Sequence, residues 1–213
     1  MTLRIIGGEY GGRVLKSVRG LGTRPLLGQV REAVFNILAD VVPGAFVWDL
    51  FAGTGASGIE ALSRGASHVL FCEKNGRALS VIEQNLRTLG PEAVARAALM
   101  RADAWDPPPR VDEETGSEIA PDVVFLDPPY ALVAEDPVKS MARARRLLER
   151  TRPGGTLVFH FEVGVLDEDD FDADLDVDLR DWGSTAIAFL WRGGEAPERV
   201  QRRWAKERSA SDQ

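Results

Sequence analysis

The stretch Val47-Trp48-Asp49-Leu50-Phe51-Ala52-Gly53-Thr54-Gly55-Ala56-Ser57-Gly58-Ile59-Glu60 constrains the fold of this chain more than any other. An apolar β-run from Phe46 to Leu50 breaks at glycines and continues as a helical pattern through Ile59, Ala61 and Leu62. A strand that turns through glycines into a helix brings backbone N–H groups close to a bound ligand. Small residues there leave no Cβ to block the approach. Gly53, Gly55 and Gly58 satisfy the G-x-G-x-x-G spacing of a dinucleotide site, and Glu73 lies where such sites keep an acid for a ribose. The spacing alone does not choose the ligand. Asp49, inside the approach to the turn, can accept a hydrogen bond and oppose a cationic ligand group.

From residue 46 onward, strand and helix patterns alternate. Val69–Cys72 reads as a buried strand ending in Glu73, and Ala78, Val81, Ile82, Asn85, Leu86 and Leu89 form a helical stripe closed by Gly90-Pro91. Ala98–Met100 is a third strand running into Ala102-Asp103-Ala104, residues 107–121 read as a loop, and 122–127 is a fourth strand. One long helix is expected over about 134–150, then a strand over Thr156–Phe161. Asp174–Leu179 alternates as an edge strand with one wet face does, and Thr185–Trp191 is a last strong strand. Ahead of all this, Arg4-Ile5-Ile6 and Arg13-Val14-Leu15 read as a short hairpin, and Val30, Val34, Ile37 and Leu38 as an amphipathic helix over roughly 28–40. The expected divisions are 1–40 (hairpin and helix), 41–194 (the α/β domain) and 195–213, a polar tail with Arg199, Arg202, Arg203 and Lys206. Such alternation builds a mostly parallel sheet with helices on both faces, whose ligands bind at the carboxyl ends of the strands. Asp49, Glu73, Asp103 and Asp127 all fall at or near such ends.

With 213 residues, 44% of them hydrophobic, the chain is long enough for one sizeable core. No apolar run approaches the length of a membrane span, and Met1-Thr2-Leu3-Arg4 does not open like a signal peptide. A single Cys72 excludes an intramolecular disulfide, which fits a reducing cytoplasm. The net charge of −7 argues against a nucleic-acid partner only superficially. Leu166–Asp178 holds eight acids and no base, and without them the balance is +1. Residues 1–36 carry Arg4, Arg13, Lys16, Arg19, Arg24 and Arg31 against Glu9 and Glu32. Exposed charges farther apart than about 10 Å are largely screened at ~0.1 M salt, so a locally basic face can still attract phosphates. His68 and His160 sit in strand-like runs and read as structural. With one cysteine they form no ligand cluster, so no metal is expected.

Beyond the fourth strand stands Asp127-Pro128-Pro129-Tyr130. A D-x-F-A-G-x-G turn paired with D-P-P-Y resembles the class I S-adenosylmethionine-dependent amino-methyltransferases, a Rossmann-like fold with a mostly parallel seven-stranded sheet. The resemblance implies S-adenosylmethionine as cofactor, held by Asp49, Phe51, Ala52, Gly53, Thr54, Gly55, Glu73, Lys74, Asp103 and Ala104. Glu73 can accept the ribose hydroxyls, and Asp103 the adenine amine while the Ala104 N–H donates to the ring. Each acid could instead cap the helix that follows it. The catalytic set would be Asp127, Pro128, Pro129 and Tyr130. An exocyclic amine is a poor nucleophile because its lone pair is delocalised. If Asp127 and the Pro128 carbonyl each accept one N–H, the lone pair is turned toward the methyl donor, and the two prolines preorganise those acceptors. Tyr130 can stack on the base, worth ~1–3 kcal/mol.

The chain as a whole resembles the RsmD family of small-subunit ribosomal RNA (guanine-N2)-methyltransferases. The resemblance rests on Arg4-Ile5-Ile6-Gly7-Gly8, Gly12-Arg13, Arg24-Pro25, Val30–Leu38, Asp49–Gly58, Glu60–Ala66, Asp127–Tyr130 and Gly183-Ser184-Thr185. It implies methyl transfer to guanine N2, small-subunit RNA (free or in an assembled ribonucleoprotein) as partner, and a cytoplasmic monomer. Arg13, Arg24 and Arg31 would be the RNA contacts. Where the family has a Thr-rich stretch with an Asp-Arg pair, this chain has Leu26-Leu27-Gly28-Gln29. The alternatives are a DNA adenine-N6 methyltransferase, a non-catalytic S-adenosylmethionine- or RNA-binding protein and, more distantly, a nicotinamide oxidoreductase.

Overall fold

The computed structural model describes residues 3–17, 28–112, 114–198 and 200–201. Arg24, the Leu26-Leu27 pair and the basic cluster of the tail therefore lie outside the described residues. Seven strands form one sheet: β1 (Phe46–Leu50), β2 (His68–Cys72), β3 (Ala97–Met100), β4 (Val123–Leu126), β5 (Thr156–Glu162), β6 (Leu175–Trp182) and β7 (Thr185–Arg192). Their order is β3-β2-β1-β4-β5-β7-β6, with β7 antiparallel to both β5 and β6 and the remaining pairs parallel.

Central strands covered on both faces are mostly apolar: β4 is so throughout, and β1 is so except for the buried Asp49. Val47 of β1 faces a core shared with Val69, Phe71, Phe125 and Ile187. Its neighbour Trp48 faces the opposite core with Leu126, Phe159 and Leu190. The first face is covered by α1 (Gly28–Ile37), α2 (Ala56–Ser63) and α3 (Gly76–Leu89), with a short α4 (Pro91–Ala95) behind them. The second is covered by α5 (Tyr130–Glu135) and α6 (Pro137–Glu149). Burying each large apolar side chain contributes roughly 1.5–3 kcal/mol.

The helix expected over 134–150 is two helices. Asp136 precedes a proline, which disfavours helical backbone, and takes φ −149°, ψ 81°. Its side chain then caps α6 by accepting from Lys139 N–H, with Pro137 in the first turn. The N-terminal hairpin pairs its two arms about an antiparallel Arg4–Val14 bridge, with Ile5 N–H to Arg13 O (3.0 Å), Gly12 N–H to Ile5 O (2.8 Å) and Leu15 N–H to Leu3 O (2.9 Å). It is also no appendage: Ile5, Tyr10, Leu15, Val30, Val34 and Phe35 are buried in the same core as the first face of the sheet.

What ties the hairpin down is Glu60 on α2, which is fully buried. Its carboxylate accepts from Ile6 N–H (2.7 Å), Gly7 N–H (2.9 Å) and Arg64 Nε–H (2.8 Å), with Arg31 Nε at 3.8 Å. Gly8 follows at φ 77°, where an added Cβ would lie 1.8 Å from the Ser63 carbonyl oxygen, so only glycine allows this contact. The acidic segment is also partly neutralised, because Arg145 of α6 bonds both Asp172 and Asp174.

Removing one partner of a buried ion pair strands the other in low dielectric. Glu60→Ala is therefore expected to cost about 3–5 kcal/mol in urea unfolding. A loss below about 1 kcal/mol would mean that Arg31 finds water instead.

Candidate active site

Strand register builds the site. Leu50 pairs with Cys72 on one side and Leu126 on the other, and Cys72 pairs with Met100. The four strands therefore end level, and the residues just beyond them, Phe51, Glu73, Arg101 and Asp127, share one edge. The ladder runs on past the strands through Ala52 N–H to Cys72 O (3.2 Å), Glu73 N–H to Met100 O (3.1 Å) and Asp127 N–H to Leu50 O (3.3 Å).

The turn after β1 is built by left-handed backbone at Phe51 (φ 58°), Gly53 (φ 54°) and Gly55 (φ 75°). The glycines do different work. A Cβ on Gly58 would lie 2.3 Å from Phe71, so this residue lets α2 lie against the sheet. A Cβ on Gly53 would meet nothing nearer than the Phe51 carbonyl at 3.8 Å, which leaves the backbone there open to a ligand. Glu73 accepts from Gly53 N–H through Oε2 (3.0 Å) and from Asn75 N–H through Oε1 (2.8 Å). Each oxygen has one lone pair left, so the carboxylate is fixed in place yet can still take two hydroxyls. Asn75, not Glu73, caps α3, through its acceptance from Arg77 N–H.

Asp103 accepts from Trp105 N–H (3.0 Å) in a local turn that buries Ala104. Trp105, a residue no sequence motif marks, packs edge-to-face on Phe51 with ring centroids 5.2 Å apart, joining the loops after β1 and β3. Lys74 is exposed, and its carbonyl accepts from Arg101 Nε–H. Thr54 offers its carbonyl to the buried Asn85 amide (3.3 Å). The same side chain binds the Lys16 N–H and carbonyl, which anchors the N-terminal segment beside the turn.

Asp49 is buried and points to the α2 side of the sheet, where Oδ2 accepts from Gly58 N–H (2.9 Å). Burial pushes its carboxyl up to about 8. The Gly58 N–H opposes this, and the nearby Asp127 and Glu73 charges add to it.

Across the switch between β1 and β4, Asp127 is partly exposed, Pro128 is buried and Pro129 precedes Tyr130 at the start of α5. His160, read from sequence as a framework residue, stands between them. Its Nδ1 contacts Asp127 Oδ1 and its Nε2 lies 2.8 Å from Tyr130 Oη. A narrow cleft beside Asp127 and His160 is bounded by Arg31, Val34 and Phe35 of α1 and Ser57 of α2.

The expected RNA-contacting arginines separate. Arg31 is buried (2% exposed), donates to the Arg4 carbonyl and faces Glu60, so it belongs to the framework and not to an RNA surface. Arg13 is exposed, lies over the Tyr10 ring and donates to Leu89 O at the far end of α3. Among the described residues, no group of three His, Cys, Asp or Glu could hold a metal ion.

A family described as conserved hypothetical protein 95 matches residues 3–191. YlbH of Bacillus subtilis, named as a candidate ribosomal RNA methyltransferase, is 40% identical over 129 residues, covering 60% of this chain and 67% of that protein. Ribosomal RNA small subunit methyltransferase D of Escherichia coli is 37% identical over 130 residues, covering 60% of each chain. The match thus spans about three fifths to two thirds of the length of these curated relatives. The solved structure of the Escherichia coli protein yhhF superposes with a TM-score of 0.70 at 27% identity, covering 92% of this chain and 100% of that one.

The Asp49 environment sets a pH test. Its ordinary carboxyl value is near 3.8 and its folded value about 8, so folding takes up a proton between them. The associated stability is full below about pH 4 and is lost as pH rises through 8. Asp49→Asn lacks this dependence. The stability of the natural protein relative to the variant should fall across that window, by up to about 1.4 kcal/mol per pH unit, and level off above it. Urea unfolding from pH 5 to 9 measures it, and a flat difference would mean that Asp49 is ionised in the fold.

Proposed function

Since the chain belongs to the RsmD family, the one described as conserved hypothetical protein 95, we propose that it transfers a methyl group from S-adenosylmethionine to the exocyclic N2 of a guanine in small-subunit ribosomal RNA. One observation carries the reading: Leu50 and Leu126 pair side by side, so the Gly53 turn and the Asp127-Pro128-Pro129-Tyr130 turn leave adjacent strands in the same direction. S-adenosylmethionine, when bound, supplies a methyl group already activated by its sulfonium.

The residues around the turn fit that cofactor. Gly53 leaves the backbone open, and Glu73, held by two amide N–H groups, offers its remaining lone pairs to a ribose diol. Asp103 and Ala104 take the adenine edge, beside the Phe51–Trp105 pair. Asp49, Phe51, Ala52, Thr54, Gly55 and Lys74 complete this half. The positive charge of the ligand faces an edge carrying Glu73 and Asp127, while Asp49 is buried behind the turn against Gly58 N–H.

In the other half, His160 contacts Asp127 Oδ1, and Oδ2 takes no hydrogen bond from the described residues. That oxygen and the Pro128 carbonyl accept the two N–H groups of the amine and turn its lone pair toward the methyl. Pro128 and Pro129 keep both acceptors stiff, and the Tyr130 ring takes the base face. Preorganised acceptors and in-line positioning are the chief sources of rate, the latter worth up to ~7–11 kcal/mol. The target base must leave its stack to reach the turn.

Arg13 and Arg24 supply phosphate contacts on the N-terminal segment, with Arg31 withdrawn from that role. No described helix is long and apolar enough to cross a membrane. The protein acts in the cytoplasm as a monomer, on naked RNA or on an assembled particle.

Labelled methyl transfer to naked small-subunit RNA, assembled particles and duplex DNA, followed by nucleoside analysis, tests the assignment. N2-methylguanosine from an RNA substrate is the expected product. Methylated adenine in DNA would overturn it. Asp127→Ala should lower transfer by roughly 10²–10³-fold while S-adenosylmethionine still binds by calorimetry and NAD does not.

A further inference from the structure

His160 is 4% exposed and lies on β5 beside the end of β4, because Leu126 pairs with Phe159. It contacts two members of the Asp127–Tyr130 turn at once. Nδ1 meets Asp127 Oδ1, Nε2 lies 2.8 Å from Tyr130 Oη, and Tyr130 Oη lies 3.0 Å from Thr185 Oγ1 on β7. The rings of Tyr130 and His160 meet edge-on at 79°.

Elementary chemistry directs this chain. An ionised carboxylate can only accept, so His160 Nδ1 carries the hydrogen. The Nε2 of the neutral ring then has a lone pair, which accepts from the Tyr130 hydroxyl. The Tyr130 oxygen in turn accepts from Thr185. We propose that His160 is a positioning residue for methyl transfer: through Nδ1–H it fixes the Asp127 carboxylate with Oδ2 turned to the amine, and through Nε2 it fixes the Tyr130 ring against which the base lies.

The prolines stiffen the backbone of the turn, but not the side-chain torsions of Asp127 or Tyr130. Both groups are partly exposed and would otherwise sample several rotamers. A displacement of about 1 Å in a positioning group can cost roughly 10²-fold in rate. The inference rests on the amine-methylation reading, since it assigns Oδ2 to the amine.

Two measurements test it. The chain has two histidines. Long-range proton–nitrogen NMR of the imidazoles, with the His160 signals identified by their loss in His160→Asn, reports the tautomer without any substrate. A hydrogen on Nδ1 is expected, and a ring carrying its hydrogen only on Nε2 would overturn the arrangement. Single-turnover transfer supplies the second readout. His160→Leu should slow it roughly 10–100-fold while the affinities for S-adenosylmethionine and RNA stay within about threefold. His160→Asn, whose amide N–H can stand where Nδ1–H stood, should recover most of that loss. Transfer undiminished in His160→Leu, or a loss that merely follows weakened cofactor binding and is not recovered by Asn, would overturn the positioning role. If the natural protein transfers no methyl to any RNA, the functional reading fails instead, and the tautomer still decides the hydrogen-bond arrangement.

Discussion

The parallel pairing of β1 with β4 is the contact on which the rest depends. After β1 the chain runs out to β2 and β3, and after β4 it runs the other way to β5. The helix that follows β1 covers one face and the helices that follow β4 cover the other. Between them the carboxyl ends of the two strands are left uncovered, which is where an open α/β sheet has room for a ligand. The two turns that leave this gap carry opposite jobs: glycines that let a backbone come close, and prolines that hold acceptors still.

Buried polar side chains hold this edge in place. Glu60 collects two N-terminal amides and Arg64, Asn85 joins Lys16 to Thr54, Asp49 joins β1 to α2, and the half-buried Glu73 joins the Gly53 turn to the Asn75 N–H after β2. Buried groups of this kind add little net stability, because desolvation offsets much of each bond. Each does penalise any packing that leaves it unpaired, and so they specify how the N-terminal segment and the loops sit around the site.

The Gly53 turn and the Asp127 turn were legible because each breaks a strand pattern with residues chosen for backbone reasons. That Asp49, Glu73, Asp103 and Asp127 fall at or near strand ends was legible from the strand pattern; that Glu73 and Asp127 stand just beyond the ends while Asp49 lies within β1 was not. Less accessible was whatever depended on a partner distant in sequence. His160 looks like any residue of an apolar strand until β4 and β5 are paired. Trp105 carries no motif, and its contact with Phe51 needs β1 and β3 placed two strands apart. Arg31 counts as a surface cation by composition, yet α1 turns it inward to Glu60. The Asp136-Pro137 break was visible in principle, since a residue before proline resists helix, but the apolar stripe on both sides masks it.

By itself the sequence determined the element alternation, the two special turns and the family, because these are set by local backbone limits and by hydrophobic period. Only the tertiary structure decided which polar groups are consumed by the framework and which remain for a ligand. Burial and orientation decide this: Asp49 turned inward to Gly58, or a guanidinium buried against Glu60, is no longer offered outward, and that depends on which strands and helices become neighbours.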